Sequence, residues 1–566
     1  MGTCQPPPLS RVLVANRGEI AVRIIRTLRL QGVASVAVYS DADRTAAHVR
    51  AADVAVRIGP DPVALSYLDA DSVIAAALAT RADAIHPGYG FLSERADFAE
   101  QVEAAGLAFV GPTAEQLRVF GDKHLSRQLA EAAGVPVLAG SEPVHGVEDA
   151  RVAAASVGYP VMLKSTGGGG GIGMAPVLEP GALDAAFASV VRSAGANFDS
   201  TGVIVERLVR NARHVEVQAF GDGAGRVVTL GDRDCSIQRR RQKVIEESPA
   251  PALPPDARLA LRDAARALLE SVEYRSAGTV EFVVDADDAS FFFLEVNARL
   301  QVEHPVTELV TGVDLVDWMV RLAGGDASFL DGGDREPVGH AVEARIYAED
   351  PVHGYRPHSG LLTRVAFPGD VRVDTWVETG TEVTTHYDPL LAKVVAGGAD
   401  RAAAWDGLRA ALDATDLSGI ETNVRFLRAL LEPGLLRDGA LGDGVATTTT
   451  LERLAPHTDA VDVLEPGTLT TVQSYPGRIG FWDVGIPPSG PMDDLSHRLG
   501  NAILGNAADA AGLEATLTGP TLQFRADAVV CVTGAPCVPE VDGAARPMWE
   551  PFDVPAGATL AIGPIG

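Results

Sequence analysis

Glu295, Asn297, Arg299, Gln301 and Glu303 fall at every second position, with Val296, Ala298, Leu300 and Val302 between them. Successive side chains on an extended backbone point to opposite faces. One face would carry two carboxylates, two amides and a guanidinium, and the other would be apolar. A solvated face tolerates any charges. This one places cation ligands and an anion binder in a single row, as nucleotide and acid-anion chemistry requires. Glu281, in Gly278-Thr279-Val280-Glu281-Phe282, sits on a strand that could pair with that of Glu295. Glu281, Glu295 and Asn297 together form a hard, oxygen-rich set suited to Mg²⁺. Carboxylates on a sheet edge are the plainer alternative.

Two further motifs bear on phosphate chemistry. Lys164 ends an apolar run, Val161-Met162-Leu163, and five glycines follow, Gly167 to Gly171. Such a run packs nothing and costs conformational entropy, but it lets backbone N–H groups approach phosphate oxygens. A flexible surface loop is the competing reading. No Gly-Lys-Ser/Thr closes the run, so it is not a Walker loop. Arg239, Arg240, Arg241 and Lys243 crowd the stretch Asp234–Lys243. Alone they would suit a solvated or nucleic-acid patch, but in an acidic chain beside a phosphate loop anion binding is the better fit.

The 566 residues imply three or four domains. A net charge of −28 argues against nonspecific nucleic-acid binding and an anionic membrane surface. Any anionic substrate must be held by local cations. The four cysteines form no CxxC pair or disulfide framework, which points to a reducing, cytoplasmic setting. No apolar run suits a signal peptide or a membrane span.

Elements that could position these groups follow from periodicity. Arg11–Ala15 reads as a strand. Ile20, Ile24, Ile25 and Leu28 form a helical stripe, and Ser35–Ser40 reads as a second strand. That is a parallel βαβ unit, repeated through Ala84–His86 and Ala108–Gly111. We expect a doubly wound α/β domain over 10–121. An α+β unit over 122–330 has a helix at Lys123–Ala133 and strands near 161–164, 203–205, 215–220, 280–284 and 291–296. A β-rich unit with helices spans 338–437. Residues 438–462, rich in Gly, Thr and Asp, read as a linker. A further β-rich segment fills 463–566.

The chain from Arg11 to Leu436 resembles the biotin carboxylase family of ATP-grasp enzymes. The matching segments are Asn16–Ala21, His86–Glu94, the glycine loop, Arg213–Gln218, Asp234–Lys243, Glu295–Pro305, His340–Arg345 and Tyr387–Lys393. The resemblance implies ATP, Mg²⁺ (or Mn²⁺) and bicarbonate as ligands, biotin carried on another domain or polypeptide, and a homodimer through this part. It implies that Lys123, Lys164 and Gly168, Gly169, Gly170 and Gly171 hold the nucleotide phosphates. Glu206 and Val209 would line the adenine pocket, with His214 near. Glu281, Glu295 and Asn297 would carry the metal. Arg299, Gln301 and Val302 would bind bicarbonate, with Lys243 and Gln238 beside it. Glu303 would be the base and Arg345 would stabilise the biotin enolate. Two positions depart from the family: Arg241 adds a charge where a small polar residue or His is usual, and Ile172 stands where Arg is common.

Residues 463–566 resemble the start of the allophanate hydrolase subunit 2-like, cyclophilin-like β domain of the urea carboxylase family, through Leu469–Arg478, Gly485–Asp494 and Leu513–Pro520. The implied reaction is ATP- and bicarbonate-dependent carboxylation of biotin, the first half-reaction of a urea or guanidine-type carboxylase, with the carboxyltransferase remainder and a biotinylated carrier as partners. A biotin carboxylase component of an acyl-CoA or pyruvate carboxylase fits the N-terminal motifs but not the β segment. A noncatalytic docking protein is the reading from another class.

Overall fold

A computed structural model of the chain describes residues 9–166, 173–197, 202–239, 242–431, 460–479 and 487–566. The glycines 168–171, Ile172, Arg241 and most of the expected linker lie outside the described residues. The chain divides into two compact units, Met1–Leu451 and Glu452–Gly566.

The first unit opens with a parallel sheet of five strands: β1 (Arg11–Val14), β2 (Ala34–Ser40), β3 (Val54–Gly59), β4 (Ala84–His86) and β5 (Ala108–Phe109), in the order β3-β2-β1-β4-β5. Val12 and Val14 pack one face against Ile20, Ile24 and Leu28 of helix Gly18–Gln31. Leu13 and Ile85 pack the other against Val73, Phe98 and Val102 of helices Ala70–Thr80 and Ala96–Ala104. Both faces are covered, as alternating apolar side chains on β1 require. This is the doubly wound layer expected from the sequence.

A small antiparallel sheet joins β6 (Val161–Ser165), β7 (Met174–Val177) and β8 (Val203–Arg207) in the order β7-β6-β8. Val161, Leu163, Val203 and Val205 point into its core, leaving Lys164 and Glu206 on the opposite face.

The site is built on an eight-stranded antiparallel sheet. Its strands are β9 (Ala212–Asp222), β10 (Val227–Arg239), β11 (Gln242–Ser248), β12 (Arg275–Asp285), β13 (Phe291–Asn297), β14 (His340–Tyr347), β15 (Arg372–Thr375) and β16 (Leu390–Gly398). They run in the order β13-β12-β9-β10-β11-β14-β16-β15. One ladder therefore continues from residues 212–297 into residues 340–398. The basic stretch Asp234–Lys243 is the β10–β11 hairpin of this sheet.

The second unit has its own antiparallel sheet, ordered Val461–Glu465, Thr521–Phe524, Thr559–Ile562, Pro539–Val541 and Ala544–Ala545. Leu522, Phe524, Val541, Val554 and Leu560 form its core. Helix Asp494–Ile503 is capped by Asp493, whose carboxylate accepts from the Ser496 N–H (3.0 Å). Among the described residues, no helix is long and apolar enough to cross a membrane.

Two histidines are buried in the α/β layer. His86 Nδ1 accepts from the Gly88 N–H (3.0 Å), which requires an unprotonated nitrogen, whereas His48 Nε2 lies 3.2 Å from the Val38 carbonyl and is kept neutral by burial. Burial, with Arg23 nearby, brings His86 down to about 3. Burial also brings His48 down to about 4, against the pull of Asp43. Below about pH 6.5 the unfolded chain binds protons at both rings that the folded chain refuses. Stability is therefore complete above that pH and falls with acidification toward the folded values. Unfolding midpoints measured from pH 7 to 4.5 should drop, each ring contributing about 1.4 kcal/mol per pH unit below its unfolded pKa. His86→Asn, which keeps an acceptor that does not titrate, should flatten the slope by one ring's share.

Candidate functional site

Four residues stand in register across four strands. Arg233 on β10 lies opposite Glu216 on β9, Glu216 opposite Glu281 on β12, and Glu281 opposite Glu295 on β13. The next row is Gln218, Thr279 and Asn297. Period-two alternation places both rows on one face of the sheet. Glu216 and Arg233 are fully buried and Glu281 nearly so.

Three adjacent carboxylates demand compensation, because like charges directly opposite destabilise a sheet. Arg233 Nε meets Glu216 Oε1 at 2.5 Å. Its remaining N–H groups donate to Gln218 (2.8 Å), Thr307 (2.9 Å) and Thr279 (3.1 Å). Lys243 Nζ donates to Glu216 (2.6 Å), Glu281 (2.9 Å) and Glu303 (2.6 Å). His214 Nε2 lies 2.9 Å from the other Glu281 oxygen. Gln238 reaches the Cys235 carbonyl (2.8 Å) and His214 Nδ1 (3.2 Å). Burial favours the neutral acid at all three positions, and the outcomes differ. Burial pushes Glu281 up, but Lys243 and His214 outweigh it and hold the group far below the carboxylate range. Burial raises Glu216, Lys243 and Arg233 notwithstanding. Burial and the facing Glu281 raise Glu295, which Lys123 partly offsets.

Extension stops at Asn297. The rest of the row is delivered by a turn and by helix His304–Thr311, with Glu303 at its N-cap position. Asn297 Nδ2 donates to Glu281 Oε1 (2.9 Å), and Gln301 Nε2 reaches the same oxygen (3.4 Å). Arg299 donates to Asn297 Oδ1 (3.2 Å) and Gln301 Oε1 (3.1 Å) and pairs with Glu94 (3.1 Å). Glu303 is fully buried between two cations, Lys243 on one oxygen and Arg345 on the other (2.8 Å). Burial would raise its pKa, but Lys243, Arg345 and Arg233 hold it well below the ordinary range.

Arg345 on β14 also pairs through Nε with Glu246 Oε1 (2.6 Å). Glu246 on β11 stands opposite Glu343 on β14, both fully buried. Burial raises Glu246 to about 7, Arg345 opposing, and also lifts Glu343 well above the ordinary carboxylate range, against Lys393.

Lys243, Gln238, His214, Glu281, Asn297, Arg299, Gln301, Glu303 and Arg345 thus form one connected network. Glu295 joins it through its register with Glu281, and Lys123 lies close enough to Glu295 to stabilise its charge. Lys164 and Glu206 pair with each other on the three-stranded sheet, and Val209 is buried just beyond β8. Val302 enters the site through its backbone, its carbonyl accepting from Lys393.

Sequence reasoning left Glu216, Arg233, Cys235, Glu246, Glu343 and Lys393 without a role. His214-x-Glu216-x-Gln218 alternates like the Glu295 row, and Glu343-x-Arg345 does the same on β14. That signal was present. Arg233 carried none, because its partners lie on other strands.

The donor set fits a divalent cation. The buried Glu281 and the partly exposed Glu295 face each other in register, the latter raised by desolvation and by the charge of Glu281, beside an amide oxygen. Among the described residues, the groups whose ligand atoms converge most closely are His214, Glu216 and Glu281, and Glu216, Cys235 and Glu303.

Comparison with known proteins agrees with this architecture. Residues 8–117 match the biotin carboxylase N-terminal domain, 122–328 the ATP-binding domain of the carbamoyl-phosphate synthase L chain, and 343–453 the biotin carboxylase C-terminal domain. Residues 484–566 match the carboxyltransferase domain, subdomain A and B. Urea amidolyase of Saccharomyces cerevisiae is 48% identical over 552 residues, 98% of this chain but 30% of that protein. The methylcrotonoyl-CoA carboxylase alpha subunit of Glycine max is 48% identical over 428 residues, covering 75% of this chain and 58% of that subunit. The Kluyveromyces lactis urea carboxylase structure superposes with a TM-score of 0.78 at 41% identity, over 99% of this chain and 43% of that one. The chain therefore spans under half the length of these urea-processing relatives. The biotin carboxylase domain of Hydrogenobacter thermophilus 2-oxoglutarate carboxylase, solved with MgADP, ADP and bicarbonate, is covered over 96% of its length at 38% identity and a TM-score of 0.73. With three successive domain models matched in order and one such domain covered almost end to end, the chain belongs to the biotin carboxylase family and carries a carboxyltransferase-type segment at its end.

Proposed function

We propose that this chain carboxylates biotin at the expense of ATP and bicarbonate, as the first half-reaction of a urea or guanidine-type carboxylase. The single observation that carries the chemistry is Glu303, fully buried and held between Lys243 and Arg345.

Bicarbonate is a weak nucleophile. As its oxygen attacks the γ-phosphorus and ADP leaves, its proton passes to Glu303, giving carboxyphosphate. A carboxylate held as low as Glu303 accepts a proton poorly while both cations face it. Incoming anions draw Lys243 and Arg345 toward themselves, and the proton affinity of Glu303 rises at that moment. Arg299 clamps the flat bicarbonate bidentately, with Gln301 and the Val302 backbone beside it and Gln238 nearby. Lys123, Lys164 and the glycines 168–171 hold the nucleotide phosphates, while Glu206, Val209 and His214 line the base pocket. Glu281, Glu295 and Asn297 would hold Mg²⁺ or Mn²⁺, which when bound would supply charge screening between nucleotide and nucleophile. The carboxyl group would then pass to a ureido nitrogen of biotin borne by a separate carrier domain or polypeptide, the departing phosphate taking the proton from that nitrogen, while Arg345 stabilises the enolate oxygen.

The urea-type assignment is favoured by the similarity to urea amidolyase, which runs over 98% of the chain, whereas the acyl-CoA carboxylase subunit matches 75%. The carboxyltransferase remainder, the carrier and a second copy of the biotin carboxylase part are the proposed partners, and a cytoplasmic setting suits the free cysteines.

Glu303→Gln should abolish bicarbonate-dependent ADP release with free biotin and Mg-ATP; unimpaired turnover would remove Glu303 as the base. Arg299→Lys keeps charge and loses the fork. Steady-state kinetics should show the KM for bicarbonate rising about 10- to 200-fold, the equivalent of about 1.5–3 kcal/mol for a charge-assisted contact, with the KM for Mg-ATP moving less than threefold.

A further inference from the structure

Three motifs stand outside the roles assigned above: Asn16–Ala21, His86–Glu94 and Tyr387–Lys393. They converge on one atom. Lys393, on β16, is fully buried, and its Nζ donates to the carbonyl oxygen of Val302 at 2.9 Å. The same ammonium pairs with Glu19 Oε1 at 3.1 Å. Glu19 lies in the first turn of helix Gly18–Gln31 and accepts from the Tyr89 hydroxyl. The Tyr89 loop is in turn held by Asn16, whose side-chain N–H group donates to the carbonyls of Pro87 (2.7 Å) and Tyr89 (2.8 Å). Gly88 sits in this loop at φ +64°, and a Cβ there would lie 2.9 Å from the Asn16 amide nitrogen. The loop therefore has little freedom to shift.

Val302 immediately precedes Glu303. Its neighbour Gln301 has its own carbonyl taken by His304 Nδ1 (2.7 Å). The turn between β13 and helix His304–Thr311 is thus pinned at two successive carbonyls, once from its own helix and once from β16. Burying an ammonium costs several kcal/mol that an apolar side chain of the same length would not incur. A lysine here is an expensive way to fill space, and what it gains is a donor aimed at the backbone of the bicarbonate-binding turn.

We propose that Lys393, held by Glu19 and Tyr89, is a positioning residue that sets the Gln301–Glu303 turn for bicarbonate. It touches no reacting atom. It places the Val302 backbone and the Glu303 carboxylate by holding one carbonyl. The inference rests on the function proposed above and adds a residue set to it. It also accounts for why the α/β layer and the far strand of the large sheet both carry motifs of their own.

The test uses the full chain with free biotin, Mg-ATP and bicarbonate, comparing Lys393→Met and Glu19→Gln with the unsubstituted chain. Glu19→Gln retains the shape of the side chain and removes only its charge. Folded protein is first verified by its unfolding transition. Both variants should lower kcat/KM for bicarbonate at least tenfold, Lys393→Met more than Glu19→Gln, while the KM for Mg-ATP stays within threefold. A packing role alone would depress the unfolding midpoint and leave that ratio of effects near one. Folded variants with kcat/KM for bicarbonate within twofold of the unsubstituted chain overturn the inference and leave the proposed function standing. An unsubstituted chain without bicarbonate-dependent ADP release overturns both.

Discussion

Glu216, Glu281 and Glu295 occupy neighbouring positions in one cross-strand row on one sheet face, the first two buried and Glu295 at its partly exposed end. Everything around them is arranged to make that tolerable. Three ionised carboxylates at sheet spacing repel, and burial strengthens the repulsion because little water screens it. The fold resolves this unevenly. Glu281 is held ionised by Lys243 and His214, while Glu216 and Glu295 are pushed toward the neutral form. Arg233 at one end and Lys243 above supply the opposing charge, and both come from the β10–β11 hairpin. An apolar face on this sheet would be more stable, since buried ion clusters seldom outperform well-packed hydrophobic residues. The sheet gives up that stability to keep oxygen ligands in fixed register.

The second charge centre, around Arg345, follows from the continuity of the sheet. β14 pairs directly with β11, so the strand that carries Arg345 is locked to the hairpin that carries Lys243. Arg345 has two carboxylates within reach, Glu303 and Glu246. Burial lifts Glu246 to about 7 and Glu343 well above its usual value, whereas Glu303 is held low. The guanidinium is thus shared between Glu246 (2.6 Å) and Glu303 (2.8 Å).

Much of this was legible in the chain, and the part that was not has a common cause. Alternation at Glu295 and Asn297 identified a strand, and Glu281 was correctly expected to face it. Ligands for two different substrates in one row favoured a strand that turns into a loop near Arg299, and extension does end at Asn297. Gln301 and Glu303 keep the period of two, yet a turn and a helix N-terminus present them. Pro305 following His304 was the local sign of that helix start. The doubly wound layer was readable because Val12, Leu13 and Val14 make an apolar run and a helical stripe, Ile20, Ile24, Ile25 and Leu28, follows at once. The β10–β11 hairpin was missed as structure because its charges dominate its composition. Arg233 and Glu246 were invisible for a deeper reason. Their significance lies in which strand comes to lie beside theirs, and i, i+2 spacing within one strand carries no information about its neighbour.

The net charge of −28 gains meaning at this scale. The cations that could meet anionic substrates are already engaged: Lys164 with Glu206, Arg299 with Glu94, Lys243 with three carboxylates, and Arg345 with two. An entering anion therefore does not fall into an open positive field. It must exchange partners, and each exchange leaves a buried carboxylate in need of a new counter-charge. On the proposed function, a nucleotide arriving with a divalent cation would bring that counter-charge with it, to where Glu281 and Glu295 face each other. On that proposal, binding of nucleotide, metal and bicarbonate would be coupled through charge balance. The same balance disfavours simple polyanions, which displace the carboxylates from their cations and offer them nothing in return.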